Sequence, residues 1–408
     1  MEGIRVLLIF VAMIYLLQKK VNTGIVMVIG SLFFGILYLM NPFEVAEIAV
    51  RTLFLRNTLE LILILLLISG LEFVLRVSGL MPNMIRALKG LVSDSRVIMA
   101  FLPALLGLLP SPGGARFSAP MVGDVARQIT SLDEDQKSLI NYWFRHIWEY
   151  IFPLYPGLLL AAAFIERDLG EIFIVNFPFT VLSLLIGFAF CFRSLEEKEV
   201  KTVYTGPRES LWRNFLSGIA PILFIIITVV FLQVPIVMSL LSVIIIVFIW
   251  QRISDKEITN LVKTAFSVNM VILVFGVIFF RNMMEASGGF AEVIQVIENF
   301  GIPPVLVVAI LPLITGLLTG MVLPMVSISF PILIGFINTG ADVSWPLFAL
   351  AFSFGFSGVM LSPLHLCFLL TIDHFKAGFN RTYRLLLVPQ LTFMVCAFIV
   401  YRIYLMIY

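Results

Sequence analysis

One arginine and two serines are the side chains that could grip a ligand in an otherwise apolar stretch, FLPALLGLLPSPGGARFSAP, from Phe101 to Pro120. Arg116 stands just past the break Pro110-Ser111-Pro112-Gly113-Gly114. A guanidinium near a bilayer centre costs about 2.5–3.5 kcal/mol on insertion scales, so it faces a cavity or a partner. Its planar fork matches a carboxylate or a phosphate. One reading makes Arg116 an anion clamp, with Ser111, Gly113, Gly114 and Ser118 supplying hydroxyl or backbone donors. The other makes it a structural partner of Asp124 or Glu149.

A second uncharged cluster follows later in the chain: Thr315-Gly316, Thr319-Gly320, Pro324, Ser327 and Ser329. Its hydroxyls and freed carbonyls suit a neutral part of a substrate or a sodium ion, and a helix N-terminus there would add a partial positive charge of about half a unit. Taken singly, each hydroxyl reads as a back-bond to its own helix.

Titratable groups gather in two places. NYWFRHIWEYIFPLYPG, from Asn141 to Gly157, sets Arg145, His146, Trp148 and Glu149 just before a proline break. Arg145 and Glu149 are spaced for an intrahelical salt pair, whereas His146 could shuttle a proton. FGFSGVMLSPLHLCF holds His365 beside Ser362 and Pro363 in a run without charges, as a relay or as a hydrogen-bonded packing residue. His146, Glu149 and His365 are therefore the candidate proton carriers. Asp373 and His374 are expected to be solvated. Cys191, Cys367 and Cys396 are scattered in apolar segments and read as small core residues, giving neither a disulfide framework nor a metal cluster.

The elements that must position these residues are written in prolines and glycines. Such a break is tolerated at membrane depth only where it lies against protein or lines a wet cavity, so 97–128 predicts a re-entrant hairpin. The text then repeats. Leu102-Pro103, Gly107, Leu108-Leu109 and Pro120 answer Leu311-Pro312, Gly316, Leu317-Leu318 and Pro331, while Ser78-Gly79 answers Ser287-Gly288 and Pro153-Leu154-Tyr155 answers Pro363-Leu364-His365. An internal duplication decides architecture first.

With 60% hydrophobic and 13% charged residues and a mean hydropathy of +1.06, the chain is no soluble domain, whose charged share is usually about 25%. A net charge of +2 points to no nucleic-acid partner. Runs of bilayer length predict helices near 4–18, 23–40, 57–77, 150–165 and 171–192. An amphipathic piece at 81–96 and a charged helix at 132–149 complete the first half. After a charged linker at 193–213, the second half gives 214–231, 235–250, 262–281, an amphipathic piece at 288–299, a hairpin at 302–337, a broken span at 344–372 and a last helix at 385–407. The start, ending on Lys19-Lys20, is expected to be a retained helix without a flanking soluble domain. Basic loops fall on one side and the acidic segments on the other, which sets the linker in the cytoplasm. Each half then crosses five times, 1–192 and 214–408 are inverted repeats, and the hairpins enter from opposite faces to meet near the midplane. The expected fold class is an all-α polytopic membrane protein with ten spans and two hairpins.

The paired tips Ser111-Pro112-Gly113-Gly114 and Thr319-Gly320, each followed by a helix broken at Pro153 or Pro363, resemble the ion transporter superfamily of secondary carriers, which includes citrate, gluconate and dicarboxylate permeases. LLPSPGGARFSAPMV with FRHIWEY looks most like a functionally unassigned branch of it. The resemblance implies a homodimer in the cell (inner) membrane, a scaffold and a moving transport domain working as an elevator, and organic anions coupled to sodium or protons. The Ser-Asn-Thr tips of sodium-coupled dicarboxylate carriers are absent, which leaves substrate and coupling ion open. The motifs GxSxG, HExxH and the P-loop are missing, so no nucleophile and no ATP site is nominated. An intramembrane enzyme acting on a lipid-linked or peptide substrate, and a non-transporting subunit of a larger complex, are the alternative functions.

Overall fold

The chain is described here from a computed structural model covering residues 4–19, 21–92, 94–108, 115–127, 132–193, 208–252, 268–289, 291–292, 295, 299–339 and 342–408. The described residues are overwhelmingly helical. The first half runs α1 (Ile4–Gln18), α2 (Thr23–Leu37), α3 (Pro42–Phe54), α4 (Arg56–Val77), α5 (Leu80–Leu91), α6 (Ser95–Gly107), α7 (Ala115–Ala126), α8 (Glu134–Arg145), α9 (Pro156–Ile165) and α10 (Leu169–Cys191). The second half runs α11 (Arg208–Ile226), which ends in a wider π turn, then α12 (Ile236–Trp250), α13 (Val268–Ala286), α14 (Pro304–Thr319) and α15 (Val322–Ile337). A two-residue antiparallel ladder, Asn338–Thr339 with Asp342–Val343, leads into α16 (Trp345–Leu361), α17 (Leu366–Phe375) and α18 (Phe379–Ile407).

Local chemistry accounts for most boundaries. Asn22 and Asn41 cap α2 and α3 through their side-chain oxygens, and Pro42 takes the first turn of α3, where its missing N–H costs nothing. Asp133 and Gln136 close a capping box at the start of α8. Among the described residues six helical stretches are long and apolar enough to cross a membrane: Arg56–Val77, Leu169–Cys191, Ser210–Phe231, Val268–Ala286, Trp345–Phe375, which spans the break between α16 and α17, and Phe379–Ile407. The other apolar helices are shorter, at 10–17 residues. This is the outline of a multi-pass membrane protein.

The two halves repeat their local geometry. Gly79 and Gly288 both turn left-handed, with φ of 72° and 75°. Ser78 and Ser287, just before them, donate to the Leu75 and Met284 carbonyls at 3.1 Å each. Glu166 and Lys376, closing α9 and α17, share a φ of 54°. Packing exchanges partners between the halves: α2 lies along α13 as α4 lies along α12, and α7 packs on α17 as α15 packs on α9.

Three differences from the sequence reading stand out. Helix α3 occupies a stretch expected to be a connection. The charged helix expected over 132–149 stops at Arg145, and Arg208 already begins α11 within the expected linker. Most of the amphipathic piece expected at 288–299 lies outside the described residues.

Candidate functional site

The expected spans at 132–165 and 344–372 are each broken in two, and the helices of each expected hairpin lie side by side. Helices α6 and α7 pack together as the first hairpin and α14 and α15 as the second. Each lies against a broken span, α8–α9 or α16–α17. The tip of the first hairpin, with Ser111, Gly113 and Gly114, lies outside the described residues. Arg116 sits in the first turn of α7, and its side chain is likewise outside the description.

The last turn of α6 shows how the first hairpin is held. A helix end leaves four carbonyls without intrahelical partners. Here the Trp148 indole N–H donates to Ala104 O at 3.0 Å and the Arg145 guanidinium to Leu106 O at 3.0 Å. The Tyr155 hydroxyl donates to Gly107 O, and the backbone N–H of Leu108 covers Leu105 O. Three of the four partners come from the last residue of α8 and the break that follows it. Gly107 lets the chains approach this closely, because a Cβ there would collide with the Arg145 carbonyl.

The second tip is met in the same way. Gly320 closes α14 at a φ of +65°, and a Cβ on it would stand 2.9 Å from His365 N and Ser362 Oγ. The carbonyls ending α16 are taken by side chains: Met360 O by the Tyr142 hydroxyl at 2.8 Å and Leu361 O by the Tyr383 hydroxyl at 2.6 Å. The tip hydroxyls are occupied within their own helices. Thr319 donates to Thr315 O at 2.7 Å, Ser327 to Leu323 O at 2.7 Å and Ser118 to Ala115 O at 3.2 Å. They keep acceptor lone pairs but have already placed their proton.

Between the two breaks lies a buried polar cluster. His146 and His365 are 2% and 7% exposed, and their rings meet edge to face with centroids 4.8 Å apart. Tyr142 touches both rings, and its hydroxyl stands 2.9 Å from His365 Nδ1. Glu149 Oε1 lies 3.8 Å from His146 Nε2. The three residues nominated as proton carriers, His146, Glu149 and His365, are thus brought together from different halves of the chain. Asp373 and His374 are exposed as expected. The expected helical pair of Arg145 with Glu149 needs a correction: α8 ends at Arg145, so the two no longer share a helical face, and Arg145 turns its guanidinium to α6. Asp124, one suggested partner for Arg116, has Arg127 at 3.1 Å.

Sequence reasoning missed two members of the cluster. Cys367, by its sequence setting a small core residue, belongs to it: its sulfur and the two imidazoles place ligand atoms within 4.8 Å of one another. Tyr142 was not singled out, although it lies one helical turn before His146, the spacing that puts two residues on one face.

A family model matches residues 3–405, nearly the whole chain. The chain belongs to the family described as protein of unknown function DUF401. Comparison with curated proteins gives no match. Among solved structures, this DUF401 chain is similar to the crystal structure of the Alcanivorax borkumensis YdaH transporter, with a TM-score of 0.56 and 15% identity over 84% of each chain. At that identity the likeness is one of fold.

Proposed function

We propose that this DUF401 protein is a secondary active transporter of a small organic anion of the carboxylate class. The observation that carries the reading is the meeting of two hairpins with two broken helices around a buried polar cluster. Irregular backbone at membrane depth needs protein or a wet cavity beside it, and carriers built from repeats bind substrate where such breaks meet. The fold shared with a protein named as a transporter supports transport in general.

In this reading the halves 1–192 and 214–408 are inverted repeats of five spans each, joined by the 193–213 linker, and the family is a branch of the ion transporter superfamily. The anion is held by Arg116 with the Ser111, Gly113 and Gly114 turn and by Ser118. Thr319, Gly320 and Ser327 close on its neutral part. Because the hydroxyls of Ser118, Thr319 and Ser327 already donate to their own helices, the attraction for charge falls on Arg116 and on backbone N–H groups. The site moves as a rigid body in an elevator, in a homodimer in the inner membrane, driven by a sodium or proton gradient.

The test is thermal unfolding of the purified protein against a panel of organic and inorganic anions, in sodium or potassium and at two pH values. A ligand at a hundredfold excess over its dissociation constant stabilises the native state by about 2.7 kcal/mol. One anion class is expected to raise the unfolding temperature of the wild type and of Arg116→Lys in part, and to leave Arg116→Ala unmoved. No shift from any anion, or an equal shift in Arg116→Ala, refutes the assignment.

A further inference from the structure

His146, His365 and Cys367 come from two different broken spans and converge to within 4.8 Å at their ligand atoms. What holds the far side of each ring decides what the near side offers. The Tyr142 carbonyl, 2.6 Å from His146 Nδ1, can only accept, so Nδ1 carries a proton and in the neutral ring Nε2 keeps its lone pair. The Val359 carbonyl, 3.1 Å from His365 Nδ1, makes the same demand of the second ring. The Tyr142 hydroxyl agrees with this: it donates to Met360 O at 2.8 Å and so accepts from His365 Nδ1 at 2.9 Å. In its neutral form each imidazole therefore holds its proton on Nδ1 and leaves Nε2 bare, and the Cys367 sulfur and the two rings place ligand atoms within 4.8 Å of one another.

Backbone carbonyls bracing the Nδ1–H of each ring are what metal-ligating histidines ordinarily have behind them. The donor set is two imidazole nitrogens and one sulfur, with the Glu149 carboxylate oxygen 3.8 Å from His146 Nε2. Sulfur with imidazole selects a borderline-soft ion over sodium, magnesium or calcium, which take oxygen. Zinc bonds of about 2.0–2.1 Å to nitrogen and about 2.3 Å to sulfur set tetrahedral ligand atoms roughly 3.5 Å apart. The present spacing of up to 4.8 Å would have to close by about 1 Å on binding.

We propose that His146, His365 and Cys367 form a three-ligand binding site for a d¹⁰ transition-metal ion, Zn²⁺ or Cu⁺. The ion would tie the break after α8 to the start of α17 and so join the two halves of the molecule. Loss of the thiol proton accompanies binding, since the thiolate is the ligand. The site does not depend on the anion reading, and metal content is measured without any substrate. A bound ion would also take both Nε2 lone pairs, which excludes their simultaneous use as a proton relay.

The experiment uses the full-length protein purified in detergent, stripped with a chelator and reloaded with Zn²⁺ alone, or with Cu⁺ alone under reducing conditions. Mass spectrometry of the metal should find one ion per chain, and competition with a chromophoric chelator should show which ion binds more tightly. Cys367→Ser and His365→Asn should each weaken binding tenfold or more. Replacing Zn²⁺ with Co²⁺ should give a thiolate-to-metal charge-transfer band. That band should persist in the double variant Cys191→Ser, Cys396→Ser, which keeps Cys367 as the sole thiol and guards against a misfolded Cys367→Ser. A wild type that retains neither ion, a cobalt spectrum without the thiolate band, or affinity unchanged in Cys367→Ser would overturn the site and leave a hydrogen-bonded cluster.

Discussion

Trp148, Arg145 and Tyr155 all turn their polar atoms toward the last carbonyls of α6, and this fixes what substitution there does. Trp148→Phe keeps most of the ring and removes the donor, leaving the buried Ala104 carbonyl without its partner. The cost of an orphaned buried acceptor is about 1–3 kcal/mol. Trp212, with 54% of its surface exposed, is the control. Trp148→Phe is expected to lower the unfolding temperature clearly and Trp212→Phe hardly at all; equal effects would show that ring packing, not the hydrogen bond, holds the hairpin. At this scale the sequence was partly legible. His146, Glu149 and His365 announce themselves as titratable groups in apolar runs. Cys367 could not, because a single cysteine says nothing of two imidazoles, one of them more than two hundred positions away in the chain. The bonds of Thr319 and Ser327 to their own carbonyls follow from the ordinary behaviour of hydroxyls in apolar helices.

Helix ends explain the elements, and one of them is capped from far away. α18 begins after Gly378 with no side chain of its own to cap it. Asp135, on α8 and 7% exposed, supplies the cap: its carboxylate accepts from Gly378 N at 2.8 Å and from the Thr382 hydroxyl at 2.8 Å, with Arg381 Nε 3.4 Å away. A carboxylate at a helix N-terminus also meets the positive end of the helix dipole. Asp135→Ala should therefore cost about 1–3 kcal/mol by orphaning buried donors. Asp135→Asn, which keeps one acceptor, should cost less. Chemical unfolding of the three proteins gives the order, and an Asn variant as weak as Ala would mean that charge dominates. The hairpins and breaks were legible because proline and glycine punctuate them. α3 was overlooked although Asn41 and Pro42 announce it, since its thirteen residues are too few and too charged to register as a span. The end of α8 at Arg145 was not readable either, because the nearest proline, Pro153, lies eight residues further on.

At the scale of the whole molecule the answering motifs were readable as text, but which helix packs on which was not, because helices of one half take their partners from the other. Among the described residues the hairpins pack mainly on the broken spans, which pack in turn on α10 and α18, while α2 packs on α13, α4 on α12 and α5 on α11; in the elevator reading proposed above each of these two groups moves as one body. Where they meet, Leu61 and Leu65 of α4 and Leu273 of α13 face Leu159 of α9 and Leu323 of α15 around a small apolar cavity of ≈ 20 Å³. A surface of leucines without hydrogen bonds among them resists sliding weakly, since dispersion contacts are non-directional and easily exchanged. A polar latch stands at one end: Arg281 on α13 reaches the Glu166 carboxylate at 3.0 Å. Contacts inside the first body are of another kind, with a Cβ at Gly157 meeting Val322 at 2.5 Å. An elevator predicts opposite outcomes for two cysteine pairs placed in a background lacking Cys191 and Cys396 and joined by a short bismaleimide. Leu61→Cys with Leu159→Cys crosses the boundary and should abolish uptake into proteoliposomes once cross-linked. Asp133→Cys with Arg381→Cys, an exposed pair whose side chains now meet at 2.6 Å, lies within one body and should leave uptake largely intact. Mass spectrometry of the cross-linked peptides establishes that both bonds formed. If the boundary pair leaves transport intact, the two bodies do not slide past each other, and access must alternate by a motion confined to the hairpins.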